Sequence, residues 1–199
     1  AGVVAKKVIA PVYVKALLKE AGGGKDIEKA VNRAIEKKDS IGGIIECEAG
    51  NVPVGLGEPF FESMEALLSH MMFSIPAIKG IEFGAGFEAA RMTGSEHNDL
   101  IIDTEGTTET NYAGGINGGI SNGNPIVFRV AVKPTSSISL PQHTINLKTG
   151  KRIDLVIAGR HDTCIALRVP VVVENATAIV LADLLLHASG GPAGSHPPF

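Results

Sequence analysis

Cysteine is scarce in this chain of 199 residues: Cys47 and Cys164 are too few for a disulfide framework and fit a reducing, cytoplasmic setting. Neither charge sign is in excess. Eighteen Lys and Arg against 21 Asp and Glu leave a net charge of −3, so there is no electrostatic case for a nucleic acid or membrane partner, and any anion recognition has to be local. Unbroken apolar runs are missing as well. The most apolar stretch, near the C-terminus, is interrupted by Glu174, Asn175 and Asp183 and reads as short of a membrane span. The first ten residues place Lys6 and Lys7 inside a helical apolar pattern, which is unlike a signal peptide. A soluble chain is expected. There is no initiating methionine and no capping residue ahead of the first helix, so the chain is expected to be a piece of a longer protein. With 44% hydrophobic residues, one domain of this length can bury its core without metal or disulfides.

Periodicity supplies the elements. Gly2 to Ile9 suggests a helix stopped by Pro11, and Val12 to Leu18 a strand ending at Gly22-Gly23-Gly24. Asp26 to Lys38 carries Ile27, Ala30, Val31, Ala34 and Ile35 on one helical stripe, with its lysines on a solvated face, and Asp39-Ser40 ends it. Ile41 to Cys47 reads as a strand. Pro59 is placed to open a helix in which Phe60, Met64, Leu67, Leu68 and Met71 recur at core spacing. After the break at Ser74-Ile75-Pro76-Ala77, Ile78 to Phe83 is a short strand, followed by a short helix near Phe87 to Met92 and an exposed polar loop from Gly94 to Thr110. His97 in that loop has acidic neighbours but no second ligand pair at zinc spacing, so no metal is expected. Thr144 to Ile157 reads as a hairpin and Pro170 to His187 as a helix apolar nearly all round, buried on several sides. Residues 1–188 then form the domain, and 189–199 a flexible tail of breaker composition.

Chemistry concentrates in two places. Asn111 to Gly123 (NYAGGINGGISNG) is dense in glycine and feeds the alternating strand Ile126 to Val132, which ends in Lys133-Pro134-Thr135-Ser136-Ser137. Glycines let backbone N–H groups converge on a ligand, and a cation followed by three hydroxyls suits an anion. The alternative is a flexible hairpin connection, since the spacing matches neither a dinucleotide fingerprint nor a P-loop. Alternation puts Arg129 and Lys133 on one side of the strand, about 13 Å apart. The second concentration is Arg160-His161-Asp162. A guanidinium can fork onto a phosphate or carboxylate and an adjacent carboxylate can accept or relay a proton, but the same residues can also cap the helix that follows.

Three blocks go beyond generic chemistry: GEPFFESMEALLSHMMFSIPAIKGIEFGAGF, GGISNGNPIVFRVAVKPTSSI, and GRHDTC ahead of VPVVVENATAIVLADLLL. In order and spacing they resemble chorismate synthase, from the first residues to about Leu186. The resemblance implies an α+β fold, a helix layer sandwiched between antiparallel sheets (a β-α-β sandwich), only part of which is present here, and assembly as a homotetramer. It also implies a lyase converting 5-enolpyruvylshikimate 3-phosphate to chorismate and phosphate by anti 1,4-elimination, in the shikimate pathway of aromatic amino acid biosynthesis. Reduced FMN is the implied cofactor, with NADPH as reductant in bifunctional members.

Carried over by motif, flavin contacts fall at Pro76, Ala77, Gly118, Lys133, Pro134, Thr135, Ser136, Ser137 and Arg160, with Arg160 also near the substrate. Asp162 matches the carboxylate placed near flavin N5, and His161 either orients it or packs. Thr163 stands where the family has a proline, and Pro76 where asparagine is common. The N-terminal half, which in the family supplies two catalytic histidines and the substrate-gripping arginines, is not in this sequence. The 199-residue chain is therefore expected to be inactive by itself; the other reading is a non-catalytic flavin- or phosphate-binding and oligomerisation module.

Overall fold

The computed structural model of the chain describes residues 1–58 and 60–190. Its elements run α1 (Gly2–Val8), β1 (Tyr13–Ala21), α2 (Ile27–Glu36), β2 (Gly43–Gly50), α3 (Met64–Ser74), β3 (Ile78–Phe83), α4 (Gly94–His97), β4 (Ile116–Asn117), β5 (Ile120–Ser121), β6 (Ile126–Val132), β7 (Gln142–Ile145), β8 (Arg152–Leu155) and α5 (Pro170–Gly190). Short 3-10 segments lie at Phe60–Glu62, Gly86–Arg91 and Ile165–Arg168.

The main sheet has the order β1-β2-β6-β3, each pair antiparallel. Strict alternation in β6 sets it up: Ile126, Phe128, Val130 and Val132 are all buried on one face. Their register partners Ala49, Cys47 and Ile45 extend that face into β2, and Val14 and Ala16 extend it into β1. Each fully buried large apolar side chain contributes about 1.5–3 kcal/mol. On the opposite face Arg129 stands between Glu46 on β2 and Glu82 on β3. Its Nε lies 2.8 Å from Glu82, and Lys19 Nζ lies 2.9 Å from Glu46.

Helices α1, α3 and α5 lie over the apolar face, with Met64, Leu68 and Met72 of α3 fully buried. Met64 is core filler, as its spacing predicts, whereas Met71, placed on the same stripe, is only half-buried and Met72 is buried in its stead. By length and composition, residues 170–189 of α5 are apolar enough to cross a membrane, contrary to the expectation drawn from its interrupting polar residues. In the fold α5 packs on β1, β2, α1 and α3, with Val173, Ala178 and Leu181 fully buried. The polar groups near its start have partners, Asn175 Nδ2 donating to Val171 O at 2.6 Å. Thr177 Oγ1 donates to Val173 O at 2.8 Å, and Glu174 accepts the Ala16 N–H at 3.1 Å while ion-pairing with Lys6.

The α+β class is as expected. Among the described residues there are one four-stranded sheet, two two-stranded ones (β4-β5 and β7-β8) and a helix layer, and the helices form a groove of about 810 Å³ lined by Val4, Val8, Leu67, Met71, Ile179 and Leu186.

Local expectations shift at several points. Ser63 Oγ accepts the Ala66 N–H at 3.2 Å, so α3 starts there, and Phe60 is left 90% exposed in the preceding turn instead of in the core. Pro59, expected to open that helix, lies outside the described residues. On α2 only Ala34 of the apolar stripe is fully buried and Ile35 is exposed. Residues 94–110 are not featureless, because Thr93 and Glu96 form a capping box that starts α4. Ser189 and Gly190, assigned to the tail, belong to α5; the rest of the expected tail, 191–199, lies outside the described residues.

Candidate functional site

The end of β6 organises the region. Lys133 N–H donates to Ala77 O at 2.9 Å, so Pro76-Ala77 and Lys133 are neighbours although 56 residues apart in number. Ala77 is held left-handed at φ 76, a conformation that disfavours a side chain and that clusters at binding sites. Pro134 lacks an N–H and ends the ladder. The chain then passes close to Gly42, where a Cβ would lie 2.3 Å from Val132 O and 3.2 Å from Pro134 Cδ. This approach needs glycine. It lets Ser40 Oγ donate to Thr135 O at 2.6 Å while Ile41 N–H donates to Thr163 O at 2.8 Å. Segment 39–42 therefore clasps the hydroxyl-rich run on one side and the Arg160-His161-Asp162 loop on the other.

The hairpin β7–β8 explains how those two walls meet. It leaves after Ser137 and returns just before Arg160, so sequence-distant hydroxyls and ionisable groups emerge at one root. Ser137, His161 and Asp162 line one cleft of about 400 Å³ together with Lys38, Ser40 and Ile35. His161 Nε2 bonds Ile157 O at 3.0 Å, which requires the proton on Nε2 and leaves Nδ1 free to accept when the ring is neutral. Asp162 Oδ1 pairs with Arg168 Nη2 at 3.0 Å, Arg168 being carried back by the 3-10 turn that follows buried Cys164. Arg160 is exposed and makes no ion pair among the described residues. Thr135 Oγ1 is buried without a hydrogen-bond partner among the described residues. A buried hydroxyl left unpaired is costly and uncommon, and points to an acceptor or donor that a ligand would supply.

The glycine-rich stretch folds elsewhere. Gly118 forms the turn of the β4–β5 hairpin at φ 59, with open space where a Cβ would stand. The adjacent Gly119 O accepts the Met64 N–H at 2.8 Å, which fixes this turn at the N-terminal end of α3. Ala77 and Lys133 lie beyond its C-terminal end, roughly 16 Å away by helical rise. Gly118 is not among the residues that line the 400 Å³ cleft, and neither are Ala77, Lys133 and Arg160. Asp99 anchors the start of the glycine run by accepting from Thr110 Oγ1 (2.7 Å) and the N–H groups of Tyr112 (2.7 Å) and Ala113 (2.9 Å). Partial burial opposes its charge, but those donors outweigh it and hold the carboxyl below its usual range. Arg129 is engaged by Glu82 and Gly84 O, on the sheet face away from the helices. Burial pushes the Cys47 thiol up to about 12, and raises that of Cys164, so neither is poised as a nucleophile.

In the sequence Asp39-Ser40 reads only as a helix stop and Lys38 as part of the helix's solvated face, yet all three line the cleft.

An antiparallel sheet backed by helices, with a polar corner cleft lined by Lys38, serine hydroxyls, His161 and Asp162, defines a protein of the α+β class. The chorismate synthase family model matches residues 5–186. The chain belongs to that family. It is 60% identical over 187 residues to the chorismate synthase of Chitinophaga pinensis, and 50% identical over 165 residues to that of Methanocaldococcus jannaschii. Those matches cover 94% and 81% of this chain but 56% and 44% of the relatives, so the chain spans about half their length. A chorismate synthase crystal structure superposes with a TM-score of 0.76 at 30% identity, covering 96% of this chain and 62% of that one.

Proposed function

We propose that this chain is the C-terminal core of a lyase that converts 5-enolpyruvylshikimate 3-phosphate to chorismate and phosphate by anti 1,4-elimination with reduced FMN. The observation that carries the reading is the junction at the root of the β7–β8 hairpin, where Ser137, His161 and Asp162 share a cleft beside the unpaired, buried hydroxyl of Thr135. That donor set fits a phosphorylated, oxygen-rich cofactor. Ala77, with its left-handed backbone, Lys133 with its exposed ammonium, Pro134, and the hydroxyls of Thr135, Ser136 and Ser137 would hold FMN, and Arg160 would reach the phosphate or carboxylate of the substrate. When bound, reduced FMN would supply electron density to the allylic system from which the phosphate departs. Asp162 then holds or relays a proton at its Oδ atoms, Arg168 fixes its orientation, and His161 lends a fixed imidazole edge.

Activity belongs to the longer protein, as a homotetramer with NADPH as reductant in a bifunctional version. The 199-residue chain is expected to bind FMN weakly and to show no turnover. Chorismate formation from substrate and photoreduced FMN, assayed with this chain and with a full-length version, tests the reading. Robust turnover by the short chain would overturn its inactivity, and normal turnover by full-length Asp162→Ala would remove the role given to Asp162. A full-length version without chorismate formation would leave the non-catalytic flavin- or phosphate-binding module in its place.

A further inference from the structure

Helix α2 ends in a way that its sequence makes expensive. Lys38 is left-handed at φ 56, its N–H donating to Ile35 O at 3.0 Å and the Asp39 N–H reaching back to Ala34 O at 3.0 Å. These are the closing bonds of a left-handed helix cap, a position that glycine occupies without steric penalty and a lysine does not. A strained non-glycine residue warrants a search for what it does there. Lys38 lines the same cleft as Ser40, Ser137, His161 and Asp162.

The electrostatics of that cleft single the lysine out. Both carboxylates on its walls are engaged: Asp39 Oδ1 accepts the Ser40 N–H at 2.8 Å, and Asp162 pairs with Arg168. Among the described residues Lys38 has no ion-pair partner, and the hydroxyls of Ser137 and Ser139, which also line the cleft, have no hydrogen-bond partner there either. A ligand entering here meets an unpaired ammonium, two unused hydroxyls, and an imidazole whose Nε2 is already tied to Ile157 O. This is the complement of a phosphate monoester, with three acceptor oxygens and close to two negative charges.

We infer that Lys38 is an anion-binding residue of this cleft, its ammonium taking the phosphate group of a phosphomonoester, and that the left-handed lysine is retained for this contact at the expense of helix-cap stability. The inference deepens the reading above and rests on its cleft, but not on flavin being the phosphate donor. Either FMN or a phosphorylated substrate carries the required group.

The test uses the isotope-labelled chain and amide chemical shifts. Inorganic phosphate is expected to move the signals of Lys38, Ser40 and Ser137, with affinity falling about tenfold in Lys38→Gly and held in Lys38→Arg, as for loss of one charge-assisted contact. Lys38→Gly is expected to melt about 2–4 °C higher, since the strain is relieved. FMN competing with phosphate, while riboflavin does not, supports the inference and assigns the phosphate to the cofactor. A phosphate response that FMN leaves untouched still supports it, assigns the group to the substrate, and removes the flavin part of the reading above. No phosphate response at these residues, an equal response in Lys38→Gly, or no gain in melting temperature overturns it.

Discussion

Arg168 Nη2 stands 3.0 Å from Asp162 Oδ1, so a 3-10 turn folds a guanidinium back onto the carboxylate that borders the cleft. Both side chains are well exposed, at 71% and 42%. An ion pair in that setting is worth about 0–1 kcal/mol. Arg168→Ala is therefore expected to shift the unfolding free energy in urea by less than about 1 kcal/mol. A loss of several times that would mean the pair belongs to a larger network that stabilises the loop.

Thr135→Val removes the orphan hydroxyl and preserves shape. Because Oγ1 is buried with no partner, the variant is expected to unfold at equal or higher denaturant concentration, with a gain of up to about 1 kcal/mol. The same change should weaken FMN binding in a fluorescence titration. Lower stability together with unchanged binding would show that the hydroxyl has no ligand to meet.

Glu174 links three elements, through the Lys6 ammonium on α1 and the Ala16 N–H on β1. Partial burial disfavours its charge, but the Lys6 and Ala16 donors prevail and hold the carboxyl below its ordinary value. The sign follows from the depressed folded value: the contribution is fully present above the unfolded pKa of about 4.3 and is lost as pH falls through the folded one. Glu174→Ala is expected to cost about 1–3 kcal/mol near neutral pH, since it strands the Ala16 N–H, and the gap to the parent chain should narrow below about pH 4. Urea melts at pH 7 and pH 3 check both parts.

Asp99→Ala withdraws the acceptor shared by Thr110, Tyr112 and Ala113. Loss of about 1–3 kcal/mol is expected, with faster hydrogen exchange at Tyr112 and Ala113 than in the core of β6. Uniform acceleration over the whole chain would instead indicate global destabilisation.

Much of the architecture could be read in the sequence because it is written in local period. The alternation of β6 gave both faces correctly, and the six residues of β3 were bounded by Pro76 and Gly84, residues that punctuate chains. Helix α3 was misplaced by its start because the apolar residue Phe60 fell on the helical period, while the actual cap, Ser63, was overlooked. The site was legible as two walls and not as a junction. Nothing local states that Ser40 bonds Thr135 O or that Gly42 lets the strands close up; both depend on β2 pairing with β6 across more than eighty positions. For the same reason the sequence does not state where the glycine run sits relative to that junction. Its position is set by the Met64 N–H to Gly119 O bond at the other end of α3.

The charge row Lys19, Glu46, Arg129, Glu82 has a consequence for mispairing. Were β6 to thread one residue out of step, Arg129 would be driven into the helix layer and Phe128 out into water, leaving Glu82 without its ion-pair partner at the same time. The penalty rises on both surfaces together, so an errant pairing has no partially satisfied halfway state in which to linger.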